Sequence, residues 1–293
     1  MSLLVQQLAN GLSLGMVYGL VAVGFSMVFG ILRLINFSHG AVLAFGANIA
    51  LFFIGMHIGP VPAIVLAVVI SGFLGIMIDK VALLPLRKKK SIPIAALVTT
   101  IGISNIIENL LVARFGSHRR PFPDFFNFGP VFIGDIQISS RQFVMFGVCF
   151  VMLAILLVIV NHTKIGLAMR AVAQNTKAAS LMGVNVNNII ALTFFLGSAA
   201  AAVAGGMVGG YFQVVDPGMG FMLGLKAFSA SVLGGIGSLT GAVVGGLLVG
   251  VIENVAALYI GSQYRDSIAF IILIIVLIFR PTGLFGKKEI IKV

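Results

Sequence analysis

The chain has 293 residues, of which 59% are hydrophobic and only 9% charged, with a mean hydropathy of +1.15 and a formal net charge of +11. A water-soluble domain carries about a quarter charged residues, so this composition excludes one and describes a protein of the bilayer. The cations do not form a nucleic-acid surface, because they lie between apolar runs and are not interleaved with stacking aromatics.

A spanning helix needs about 20 mostly apolar residues. The apolar runs predict spans near 10–32, 36–56, 62–79, 93–112, 142–161, 189–211, 221–235, 239–259 and 267–281. The seventh is short enough to be re-entrant, so the fold class is an all-α polytopic membrane protein of eight or nine spans. All of it, residues 1–293, forms a single membrane domain. Met1 to Asn10 contains no basic stretch of the kind that opens a cleaved leader. Lys and Arg accumulate in cytoplasmic loops, which puts Lys80–Lys90, with Arg87, Lys88, Lys89 and Lys90, inside. Alternation then places Arg33, the segment His162–Asn188 and the tail with Arg280, Lys287, Lys288 and Lys292 inside. The N-terminus and Ala113–Arg141 fall outside. Thirteen of the nineteen cations are cytoplasmic on this scheme. A re-entrant seventh segment would strand the basic tail outside, so nine crossings are favoured.

In chain order, the first polar interruption is Asn36-Phe37-Ser38-His39-Gly40. Two readings stand. One is a helix break that offers hydrogen-bonding groups to a substrate path, since irregular backbone at membrane depth occurs only where it is buried in protein or lines a cavity. The other is an interfacial turn capped by Asn36 or Ser38. Glu108 and Glu253 lie in otherwise apolar runs, and Lys226 lies near the start of the short seventh one. Intramembrane charges are expensive and usually paired or hydrated. A structural ion pair of Lys226 with either Glu is favoured over a proton relay or substrate contact, because relays use more than two isolated carboxylates. Lys226 snorkelling to the interface, or either Glu near a span end, is the plainer alternative. Cys149, the only cysteine, sits in an apolar run and has no partner for an internal disulfide.

Many of the 36 glycines lie inside spans, as in Gly205-Gly206 and Gly245-Gly246. Close helix packing in lipid explains most of them. A faint repeat also runs through the chain: Gly19-Leu20-Val21-Ala22, Gly30-Ile31 and Gly40-Ala41-Val42 are matched by Gly224-Leu225-Lys226-Ala227, Gly235-Ile236 and Gly241-Ala242-Val243. Paired Gly-interrupted segments in two halves point to a transport pathway at the repeat interface.

No catalytic constellation is present. There is no His-Glu-x-x-His, no Gly-x-Ser-x-Gly, no cysteine cluster and no phosphate-binding Gly-x4-Gly-Lys-Ser/Thr loop, and the four histidines are scattered. The expectation is therefore not an enzyme, with no cofactor or metal in this chain. The stretch Asn161–Asn188 is the distinctive one. Small Ala178 and Ala179 let a short helix lie close to a partner groove, Gly183 can end it with a left-handed cap, and Arg170 and Lys177 give it a cationic face. A solvated helical connector is the plain alternative.

Lys177-Ala178-Ala179-x-x-x-Gly183 resembles the Glu-Ala-Ala-x-x-x-Gly loop by which permeases of binding-protein-dependent ABC importers dock on their ATPases, with Lys in place of the usual Glu. Further matches run along nearly the whole chain. They are Ile35–Gly40, Lys164–Ala171, Ala178–Gly183, Gly224–Phe228, Val232–Ser238 and Arg280–Gly286. Together they resemble the permeases of high-affinity branched-chain amino acid importers. Leu167, where relatives often carry Arg, and the poorly matching Phe115–Gln137 depart from the pattern. The resemblance implies a type II-like importer fold in a bacterial inner membrane. It implies a second, homologous permease in a heterodimer, two ATPase subunits that hold ATP and Mg, and a periplasmic amino-acid-binding protein. Its cargo class is Leu, Ile and Val, with urea, amides or another small acid as the alternative within the family and an ion-coupled secondary transporter outside it. On this reading Arg170, Lys177, Ala178, Ala179 and Gly183 couple to the ATPase. Asn36, Phe37, Ser38, His39, Gly40, Glu108, Lys226 and Glu253 are the candidate pathway residues.

Overall fold

The computed structural model describes residues 2–89, 91–124, 128–133, 136–280 and 282–286. Lys90, Lys287, Lys288 and Lys292, four of the cations assigned to the cytoplasm above, lie outside the described residues. Helices α1 (Ser2–Leu32), α2 (Ser38–Gly55), α3 (Pro60–Met77), α4 (Leu84–Lys88), α5 (Pro93–Phe115) and α6 (Ser140–His162) make up the first half. Helices α7 (Lys164–Gln174), α8 (Thr176–Leu181), α9 (Val186–Phe212), α10 (Met219–Gly234), α11 (Leu239–Ile260) and α12 (Arg265–Phe279) make up the second. Among the described residues, eight helices are long and apolar enough to cross a membrane, and the 16-residue α10 is a shorter apolar one.

The two ends of the bundle are defined by contacts. At one end the α5–α6 connection folds into short strands β1 (Arg120–Pro121), β2 (Val131–Ile133) and β3 (Ile136–Ile138). There β1 pairs antiparallel with β4 (Val214–Val215), which joins α9 to α10, and Gln6 of α1 bonds the backbone of Gln137. These small strands are the departure from an all-α reading. At the other end lie α7 and α8, the C-terminal turn of α1 and the Gly235–Ser238 turn, where Gly237 stands beside Gly30. The amides of Leu284 and Phe285, past α12, bond the carbonyls of Leu233 and Gly234 at that same end. α10, about 24 Å long at 1.5 Å per residue, leads from the β4 side to the Gly235–Ser238 turn. The first residues of α1 and the segment after α12 lie at opposite ends.

α1 is apolar on every side and buried nearly throughout, with Val17, Leu20, Ala22 and Val23 at its centre. It is the axis of the bundle. Its partner α11 runs antiparallel to it. Gly11, Gly15 and Gly19 recur every four residues and face Val251, Leu247 and Val243, so that a Cβ on Gly11 would lie 2.7 Å from the Cα of Val251. Without side chains in the way the two backbones touch, which is how helices gain packing energy in lipid. Ser26 and Ser231, each seven residues after the matching Gly19 and Gly224, hydrogen-bond to each other at 2.9 Å. The bond joins α1 to α10 across the bundle.

The expected loop Lys80–Lys90 is helical as far as Lys88. α3 continues through a π-helical stretch, Ile78–Leu83, into α4. Pro85 has no amide hydrogen to donate, and a widened turn carries the chain past it. Inside this bend Arg87 meets the buried carboxylate of Asp79 at 2.5 Å.

Candidate functional site

At the α7–α8 end, local sequence builds a capped hairpin. The Thr163 side chain accepts from the Gly166 amide to start α7, Asn175 accepts from the Ala178 amide at 3.0 Å to start α8, and Asn185 accepts from the Asn188 amide to start α9. α8 ends in paired bonds, Gly183 N–H to the Ser180 carbonyl and Val184 N–H to the Ala179 carbonyl. That arrangement needs a left-handed residue after the helix, and Gly183 has φ +85°. Ala179 is buried toward the bundle, while Lys177 and Ala178 face out. Beside them Leu181 and Met182 are 89% and 85% exposed. Arg170 is not on that face. It donates to the Val160 carbonyl at the last turn of α6 and holds α7 in place, because a helix C-terminus offers unpaired carbonyls to a nearby cation. The expected cationic face therefore reduces to Lys177, beside the exposed apolar Leu181 and Met182.

The Asn36–Gly40 stretch is a break inside the bundle. Arg33 ends α1 with φ +54°, residues 33–36 are non-helical, and α2 begins at Ser38. His39 then packs on Gly24, well inside α1. The Asn36 side chain accepts from both the amide and the hydroxyl of Ser38, at 3.2 and 2.6 Å, and Thr100 Oγ1 accepts from the Phe37 amide. So the amides of Phe37, Ser38 and His39 are satisfied by protein, and Asn36 caps the start of α2. Asn36, Ser38 and His39 are buried, and Phe37 and Gly40 line a cavity.

That cavity, about 210 Å³, opens between α2, α5 and α10. Phe25, Phe37, Gly40, Ser104, Glu108 and Phe228 are among its walls. It exists because α2 and α10 touch through bare backbone: a Cβ on Gly40 would meet the Gly220 carbonyl oxygen and lie 3.3 Å from the Cα of Gly224. Glu108 is thus brought together with Phe37 and Gly40.

Lys226 and Glu253 are elsewhere. Lys226 bonds Glu253 at 2.8 Å and Asp266 at 2.6 Å, with Arg265 3.7 Å from Glu253 and bonded to Asn254. Glu253 is fully buried and Lys226 nearly so. Lys226 also stands 5.8 Å from the centre of the Tyr18 ring. This cluster ties α10, α11 and the start of α12 to the axial helix and does not face the cavity. Asp266 and Arg265, missed in the sequence, were readable only as the charged pair that opens the last span. A further unforeseen knot lies at the strand end, where Arg120 donates to Asn48 Oδ1 at 2.5 Å and lies 4.3 Å above the Phe115 ring, and Phe122 is buried against Ala47 and Val215.

A helical bundle with eight long apolar helices and a shorter ninth among the described residues, and an exposed capped hairpin at one end, has the architecture of a polytopic membrane protein. Its backbone resembles that of PsaBC from Streptococcus pneumoniae, solved in complex with a Fab, at a TM-score of 0.50 and 18% identity, covering 97% of this chain and 94% of that one. The family of branched-chain amino acid transport system permease components matches residues 7–277, and the chain belongs to it. The high-affinity branched-chain amino acid transport system permease protein BraD of Pseudomonas aeruginosa is 42% identical over 98% of this chain and 97% of its own length. LivH of Escherichia coli K12, described in the same words, is 39% identical with the same coverage. A probable LivH of Methanocaldococcus jannaschii is 28% identical over 91% and 88%.

Proposed function

We infer that this chain is the membrane-embedded permease subunit of an ATP-driven importer that carries leucine, isoleucine and valine into the cytoplasm. The observation that carries the reading is the α7–α8 hairpin: Leu181 and Met182, almost fully exposed on a rigidly capped turn at one end of a membrane bundle. Exposed apolar side chains on a helix this short are explained by a partner that covers them. The partner that fits is a pair of ATPase subunits, which bind the ATP and Mg that this chain has no site for. A homologous second permease covers the α5–α10 face, and a periplasmic amino-acid-binding protein delivers cargo at the strand end. The hairpin then lies in the cytoplasm, the N-terminus outside and the C-terminus inside, in a bacterial inner membrane. ATP binding closes the ATPase pair, and α8 passes that movement through α7 and α9 to the spans. No chemistry occurs in this chain.

The test is uptake of labelled leucine by proteoliposomes holding the complete complex. Accumulation that requires ATP and the binding protein is expected. Accumulation driven by a proton gradient without ATP would instead make the chain an ion-coupled transporter.

A further inference from the structure

The cavity between α2, α5 and α10 carries an unbalanced charge. Among the described residues, the other carboxylates each have a cation against them: Asp79 has Arg87, Asp124 has Arg141, Asp216 has Arg119, and Glu253 and Asp266 share Lys226. Glu108 has none, although it stands within a span, one helical turn beyond Ser104, and only partly buried. Its carboxylate reaches the first residues of α10, where a Cβ on Gly218 would lie 3.3 Å from Oε1. A carboxylate at membrane depth without a protein cation is costly unless water or a cationic ligand reaches it. Apart from Ser104 and Asn105, the rest of the wall is apolar and aromatic, with Phe37, Phe221 and Phe228 around the floor that Gly40 leaves open. At about 210 Å³ the space is smaller than the roughly 300–1,000 Å³ of drug-sized sites. It suits one small solute with a cationic head and an aliphatic body.

The geometry points to Glu108 as the group that receives the α-ammonium of the passing amino acid, with the Ser104 hydroxyl beside it and the three phenylalanines around the aliphatic side chain. The ionised acceptor makes the contact a charge-assisted hydrogen bond. This rests on the cargo proposed above. The competing role for Glu108 is purely structural, as an anion near the N-terminus of α10. That role would influence assembly but would not distinguish one solute from another.

The experiment uses the complete complex in proteoliposomes carrying Ser104→Cys. Cys149 is buried, so the new thiol is the accessible one. An aqueous maleimide is expected to label position 104. Excess L-leucine should slow the labelling, whereas 4-methylpentanoate, with the same aliphatic body and carboxylate but no amine, should not. Adding Glu108→Gln should remove the leucine protection while labelling persists, and Glu108→Asp should keep part of it. In uptake, Glu108→Gln should lower leucine transport by about tenfold, the scale of one charge-assisted bond. Position 104 unlabelled in every nucleotide state, equal protection by both solutes, or full protection in Glu108→Gln would overturn the assignment. If Glu108→Gln does not assemble, the pair of solutes on the Ser104→Cys background decides alone. Absence of ATP-driven leucine uptake by the unaltered complex counts against the proposed function, and is separate from the labelling result.

Discussion

The residues with the largest structural consequence are those whose surroundings cannot adjust. Lys226 is the common partner of Glu253 and Asp266. Lys226→Met removes the ammonium but leaves a fully buried carboxylate behind, and breaking a buried pair from one side costs about 3–5 kcal/mol. A large fall in the thermal midpoint of the purified protein is expected. Lys226→Met combined with Glu253→Gln should recover much of it, and a double variant no better than the single one would remove the pair from its structural role. Gly220 is a second such residue. A Cβ there meets the Gly40 carbonyl, which belongs to the backbone of α2 and cannot rotate away. Gly220→Val should cost about 1–3 kcal/mol by overpacking, whereas the same change at Gly102, where a Cβ has open space, should leave the melting curve almost unmoved.

Among the elements, α8 is fixed by its two ends. Gly183 is held at φ +85° by the bonds that close the helix, yet a Cβ on it meets nothing within 4 Å in this chain. The left-handed conformation costs an ordinary side chain about 1–2 kcal/mol. Asn tolerates it better because its short polar side chain bonds locally. Gly183→Asn should therefore preserve expression and much of the transport. Gly183→Trp, with no clash inside the chain, should insert normally but lose uptake and uncouple ATP hydrolysis if, as proposed, an ATPase subunit covers this turn. Normal uptake by Gly183→Trp would place the partner contact elsewhere. Much of this element was legible beforehand: the cap residues and the small pair Ala178-Ala179 are local signals. What was not legible is that Arg170 turns back onto the Val160 carbonyl, because the direction of a long side chain depends on where the preceding helix ends.

In the whole molecule, the hairpin and the strand-bearing connection lie at opposite ends. Leu181 and Arg119 mark them, and both side chains are exposed. Arg119→Cys should react with an impermeant thiol reagent added outside intact cells, and Leu181→Cys only after the membrane is opened. Reaction of both from one side would contradict the topology and the inward position of the hairpin together.

Membrane residence, the order of the apolar segments and the family itself were determined by the sequence. Hydropathy, capping and motif spacing act within a few residues of one another, and such local terms need no partner to be read. The tertiary structure alone decided which polar groups meet. Lys226 chose Glu253, 27 residues away, over Glu108, and Ser26 found Ser231, 205 residues away. The Asn36–Gly40 break went inside the bundle because Thr100 and Gly24 were there to receive it. In a medium without water every buried polar group must find its partner within the protein, and that choice depends on how separate helices stack.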